Sequence, residues 1–104
     1  MIIIVCVFIV KHDVYGYEDN NYESFVEVFN DESSARNYFE VKKEQVMEEY
    51  YDYTGTNSIQ ELEDNFSFYS DLEPTVYGLP YLFMELDDYG SDRLVVQKKD
   101  IMSF

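Results

Sequence analysis

Residues 1–10 read MIIIVCVFIV, and the run from Ile2 to Val10 is apolar without a break. Successive side chains of a strand point to opposite faces, so Ile2, Ile4, Cys6, Phe8 and Val10 share one face and Ile3, Val5, Val7 and Ile9 the other. A strand with one wet face alternates apolar and polar residues; this run is apolar on both faces. β-branched residues dominate it, and its length suits a strand and falls short of the ~20 residues a membrane helix needs. It reads as the central strand of a sheet, covered on both sides, with the remaining chain supplying the covers.

The elements that follow are marked by local chemistry. Lys11–Glu23, KHDVYGYEDNNYE, is polar, with turn signals at Gly16 and Asp19-Asn20-Asn21. It is expected to be a long loop, either mobile or in contact with a partner. Ser24–Phe29, SFVEVF, reads as a second strand, antiparallel to the first. Asp31, with Ser34 three residues on, is an N-cap for a long helix. Ala35, Phe39, Val46, Tyr50 and Tyr53 form its buried stripe, Tyr38 and Lys42 lie beside it, and it ends near Tyr53 before Gly55. Asn57 is expected to cap a short helix, Ser58–Asp64, that buries Ile59 and Leu62. Phe66 and Phe68 alternate with Ser67 and Tyr69 as a short third strand, and Asp71–Pro80 is a loop. Tyr81–Leu86 is a fourth strand with Leu82, Met84 and Leu86 on one face; Asp87–Asp92 turns around Gly90. Leu94–Lys99 is a fifth strand with Leu94 and Val96 inward, and Ile101 and Phe104 dock the tail. The order β-β-α-(short α)-β-β-β describes an α+β domain over residues 1–104: a largely antiparallel β-sheet with one long helix packed on a face. The short helix, the aromatic loops or a second subunit could cover the other face of strand one, so a homodimer is an open alternative.

The chain has 104 residues, 22 of them acidic and 7 basic, for a net charge of −15. That exceeds what solubility asks of a small domain and costs stability through self-repulsion. High apolar and aromatic content separates it from a disordered acidic tail. The single cysteine, Cys6, reads as a small buried hydrophobe in a reducing compartment. The N-terminal run lacks the basic region and cleavage site of a signal peptide, and no other segment could span a membrane, so the expected location is the cytoplasm.

The charges are unevenly placed. Between Lys43 and Arg93 there is no Lys or Arg, while thirteen acids occur: Glu44, Glu48, Glu49, Asp52, Glu61, Glu63, Asp64, Asp71, Glu73, Glu85, Asp87, Asp88 and Asp92. On the long helix Glu40, Glu44 and Glu48 recur every four residues, ~6 Å apart along the axis. A stiff row of carboxylates can stand in for phosphates, which lie about 3.4 Å apart along each nucleic-acid strand. The competing reading is a solvated helix face, partly offset by Arg36 and Lys43. Tyrosines interleave with the acids, and tyrosine is enriched at interfaces. Tyr51, off the apolar stripe, and Tyr89, at a turn tip, are the better candidates. The candidate partner-binding residues are Glu40, Glu44, Glu48, Tyr51, Glu61, Glu63, Asp64, Asp71, Glu73, Asp87, Asp88 and Tyr89.

His12 is the only histidine and Cys6 lies in the apolar strand, so neither a Ser-His nor a Cys-His pairing nor a zinc set is suggested. There is no P-loop or dinucleotide fingerprint, and DDYGSD does not match the calcium loop. Adjacent carboxylates such as Glu63-Asp64 arise by chance in so acidic a chain. The expectation is a non-enzyme with no cofactor and no metal. Direct nucleic-acid binding is disfavoured, because phosphates would be repelled.

Residues Val26–Phe39, VEVFNDESSARNYF, resemble the strand-to-helix junction of small phage and mobile-element proteins: a strand ending in Val-Phe, a polar cap, then an Ala and an aromatic on the helix. Size, acidity and lack of catalytic groups resemble phage-encoded inhibitors of host defence, such as anti-CRISPR and anti-restriction proteins. That group shares no single fold or motif, so no residue roles carry over. The resemblance implies an inhibitor that blocks the nucleic-acid-binding surface of a basic protein, such as a nuclease, Cas effector or restriction factor. The alternative is a soluble interaction or structural module whose charge serves solubility.

Overall fold

A computed structural model of the chain describes residues 3–72 and 78–103, with residues 3, 4, 102 and 103 described by their backbone alone. Seven elements follow in order: β1 (Ile3–Gly16), β2 (Asn21–Phe29), α1 (Glu32–Thr54), α2 (Ile59–Asn65), β3 (Phe68–Asp71), β4 (Tyr81–Leu86) and β5 (Gly90–Ser103). The strands make one sheet in the order β2-β1-β5-β4-β3, each pair antiparallel. Helix α1 packs across one face of it, against β5, β1 and β2. The architecture is α+β.

The middle strand is β5, not β1. Extended backbone does not stop at Val10 but continues to Gly16, and β5 pairs along the whole of it, from Ile3↔Ser103 to Gly16↔Gly90. The stretch expected as a long loop is mostly ladder, from Lys11↔Val26 to Gly16↔Asn21, closed by a turn over residues 17–20. Its polar residues find partners across the sheet. Asp13 accepts hydrogen bonds from the Tyr22 hydroxyl at 2.9 Å and the Ser24 hydroxyl at 2.7 Å. Polarity therefore changes what the strand bonds to without ending it. β5 likewise begins at Gly90 rather than Leu94, and β3 begins at Phe68 rather than Phe66.

The ends of α1 follow from its caps. The Asp31 carboxylate accepts from the Ser34 backbone N–H at 2.7 Å and the Ser34 hydroxyl at 2.9 Å. Gly55 closes the helix in the left-handed region at φ 72°, donating its N–H to the Tyr51 carbonyl at 2.7 Å. Ala35, Phe39, Val46 and Tyr50 are buried, as their spacing requires. Tyr53 is not: it is 55% exposed, because beneath it lies the Tyr89 ring rather than the sheet. α2 is capped by Ser58 instead of Asn57. The Ser58 hydroxyl accepts from Glu61 N–H at 3.2 Å, while the Glu61 carboxylate reaches back to Asn57 N–H at 3.1 Å. The core joins the α1 residues to Leu62 and to Phe8, Val10, Leu82, Met84, Leu86, Leu94 and Val96 of the sheet. Each large aliphatic side chain buried there contributes ~1.5–3 kcal/mol.

β1 is covered on one face only. Phe8 and Val10 are buried under α1, whereas Val5 is 46% exposed and Val7 and Ile9 are half-buried. The outward residues shelter one another across the ladder, Val5 beside Ile101 and Ile9 beside Val28. Among the described residues no element lies on that face.

Cys6 is half-buried rather than buried, and its thiol donates to the Asp100 carboxylate at 2.9 Å. That hydrogen bond, with burial and the carboxylate's charge, pushes the thiol's pKa up. The thiolate is the reactive form. Alkylation by iodoacetamide at neutral pH is therefore expected to be slow, and Asp100→Asn to speed it several-fold by moving the pH–rate profile down. Equal rates in the two proteins would remove Asp100 as the cause.

Candidate functional site

One end of the molecule gathers three segments far apart in sequence. Tyr17 and Glu18 come from the β1–β2 turn, Tyr53 from the last turn of α1, and Asp87 and Asp88 from the β4–β5 turn. Together they line an open groove of about 560 Å³. The β1–β5 ladder brings the two turns together, ending at Gly16↔Gly90, and Tyr17 N–H then donates to the Tyr89 carbonyl at 3.2 Å. The approach is close enough to require glycine at position 90. A Cβ there would lie 2.2 Å from the Tyr15 carbonyl oxygen.

The walls are aromatic and acidic. The Tyr53 ring lies 4.4 Å from that of Tyr89, which meets Tyr50 edge-on at 5.0 Å. The Tyr17 hydroxyl donates to the Glu85 carboxylate, and that bond is the first of the causes that push its phenol's pKa up. Burial, followed by the Glu49 and Asp92 charges, does the same to Tyr89. The last turn of α1 carries no basic residue, so the negative end of the helix dipole adds to the field uncompensated. Among the described residues no Lys or Arg lines the groove. Carboxylates beside ring faces are the chemistry that receives a guanidinium or an ammonium group.

Behind the groove lies a buried polar network. Asp92, which the sequence reading places at the end of the Asp87–Asp92 turn, is 3% exposed, and His12 is 8% exposed. His12 Nε2 lies 2.8 Å from Asp92 Oδ1, and the Tyr50 hydroxyl donates to Asp92 Oδ2 at 2.9 Å and approaches the Met84 carbonyl at 3.0 Å. His12 Nδ1 is buried without a partner. Burial, then the Asp92 charge, pushes the Tyr50 phenol's pKa far up, so it stays a donor.

The residues nominated from sequence are only partly assembled. Glu40, Glu44 and Glu48 are exposed on α1, roughly 150° around the helix from the buried stripe. Arg36 does not offset them: its guanidinium is held by Glu32 at 2.8 Å and by the Gly78 carbonyl at 3.0 Å. Lys42 leans toward the sheet, with Nζ 6.0 Å from the centre of the Phe25 ring. Glu61, Glu63 and Asp64 are exposed on α2, Glu61 acting also in its cap. Asp87 and Asp88 line the groove. Asp71 pairs with Phe83 and faces the opposite side of the sheet, away from the helix acids. Tyr51 and Tyr89 are half-buried, packed against the core. Glu73 lies outside the described residues. Tyr17, Glu18 and Tyr53 were not nominated individually; the only signal was the acid-aromatic composition of Tyr17-Glu18-Asp19 in the stretch expected to be mobile or in contact with a partner. Among the described residues no group of three or more His, Cys, Asp or Glu is placed to hold a metal, and no helix is long and apolar enough to cross a membrane. Comparison with protein-family models, with curated proteins and with solved structures finds no match to this chain.

Proposed function

We propose that this chain binds a basic, nucleic-acid-handling protein and occupies its nucleic-acid-binding surface, as an inhibitor that presents carboxylates where phosphates would lie. What supports the reading is the pair of acidic surfaces on one small body. Glu40, Glu44 and Glu48 are exposed along the solvent side of α1, and the groove of Tyr17, Glu18, Tyr53, Asp87 and Asp88 lies around the C-terminal end of the same helix. From Glu40 to Tyr53 the helix rises roughly 20 Å. The ribbon would follow the partner's phosphate-binding row, and the groove would take one of its arginine or lysine side chains.

The test is capture of a partner from lysate on the immobilised chain, followed by competition and kinetics on that pair. Excess duplex DNA should displace the chain. Affinity should fall steeply as salt rises, because the Debye length contracts from ~10 Å at 0.1 M to ~3 Å at 1 M. Replacing Glu40, Glu44 and Glu48 together by Gln should leave the melting temperature unchanged or slightly higher, since like-charge repulsion along the helix is removed. The same variant should slow association about tenfold or more through lost steering. An unchanged on-rate, or an affinity indifferent to salt, defeats the proposal.

A further inference from the structure

We propose that the bare face of the sheet is the interface for a second copy of this chain, packed sheet against sheet about a two-fold axis. Three observations bear on it.

The first is apolar surface without a cover. Val5, Val26, Val28 and Ile101 are each between 46 and 58% exposed, and they sit on the face away from α1. Half-buried Ile9 and Tyr81 lie on the same face. Contiguous apolar surface of this kind marks an interaction site.

The second is charge. The strand register places Lys11, Lys99 and Arg93 on this face together with Asp13, Glu85 and Asp71. Bases and acids balance there, in a chain whose net charge is −15. Two copies meeting through any acidic surface would repel. Here they meet without net like charge, and a two-fold axis sets each sign of one copy against a face carrying the opposite sign as well. A basic partner has no electrostatic reason to choose this face over the helix side, and a nucleic acid would be held off by the charge of the whole molecule.

The third is area. The chain exposes 6947 Å². A monomer of its 12.4 kDa mass exposes roughly 6,100 Å². Each partner of a standard interface contributes ~800 Å². The five strands present roughly 750 Å² of sheet, from ~3.3 Å rise and ~4.8 Å spacing. Facing sheets would pack ~10 Å apart with the residues above interdigitated.

The experiment is sedimentation equilibrium of the full chain across the micromolar range. A reversible dimer is expected. It should tighten as salt rises from about 0.05 to 0.5 M, because screening relieves the repulsion between the two acidic bodies. The complex with a basic partner should respond in the opposite sense. Val26→Glu with Val28→Glu, both exposed positions, should weaken dimerisation about tenfold or more with the melting transition retained. Lys99→Glu, which unbalances the face without touching the apolar residues, should weaken it several-fold. A chain that stays monomeric throughout overturns the proposal. So does a dimer indifferent to both variants, and so does retention of a labelled oligonucleotide that Lys99→Glu abolishes.

Discussion

Asp92→Ala is expected to lower stability by about 3–5 kcal/mol, measured as a shifted urea midpoint with unchanged slope. A domain of this size has on the order of 5–15 kcal/mol in total, so the variant would approach unfolding at room temperature. The carboxylate is nearly sealed from water and serves two partners, His12 at 2.8 Å and the Tyr50 hydroxyl at 2.9 Å. Removing it leaves the imidazole buried with neither nitrogen bonded, since Nδ1 already lacks a partner. Tyr50 keeps the Met84 carbonyl and loses less. The cost is that of stranding polar groups, not of deleting an attraction. Replacing both members, His12→Leu with Asp92→Leu, should therefore recover most of the loss despite being the more drastic change. A single-variant loss below about 1 kcal/mol, or a double variant worse than the single, would show that the network carries little of the fold's stability.

The second large effect belongs to Gly90. A methyl group there would sit 2.2 Å from the Tyr15 carbonyl oxygen and 3.2 Å from Gly16 Cα, both backbone atoms that cannot swing aside. Its φ of 154° lies where side-chain-bearing residues are rarely found. For Gly90→Ala the β1–β5 ladder must open at its end, at a cost of about 3 kcal/mol or more. Thermal melting should fall by roughly 12–24 °C. Gly16, directly opposite in the register, is the control. Its nearest neighbours would be 3.9 Å from a new Cβ, so Gly16→Ala should be nearly silent. Equal losses at the two positions would mean that the ladder end is not as tight as described.

What could be read from sequence was what local chemistry decides. Asp31 and Gly55 bound α1 because a cap needs only its neighbours. Leu82, Met84 and Leu86 alternate inward because pleating alone sets the period. The cap of α2 was missed by one residue, Ser58 for Asn57, and the larger misses depend on distant partners. His12 looked like the start of a loop until Asp92, eighty residues on, bonded to it. Lys11–Gly16 extends because β2 and β5 flank it, and nothing within those residues announces that. The apolar run at 2–10 suggested two covers. Periodicity reports which faces are greasy and says nothing of what lies on them. Of the groove, Asp87 and Asp88 were nominated as charge, but their meeting with Tyr17 and Tyr53 is a product of the sheet order.

The pairing of β1 with β5 also dictates when the protein can fold. Every rung joins residues roughly 75 to 100 positions apart, from Gly16–Gly90 to Ile3–Ser103. Loop closure over such spans must be met before those contacts stabilise anything, which moves folding from microseconds toward milliseconds or seconds. During synthesis, at about 5–20 residues per second, the hairpin of β1 and β2 waits several seconds for the strand that will lie beside it. Throughout that interval its apolar edge is available to any neighbouring chain. Glu18, Asp19, Glu23 and Glu27 are already present on that hairpin. Their like charge holds nascent copies apart until β5 arrives.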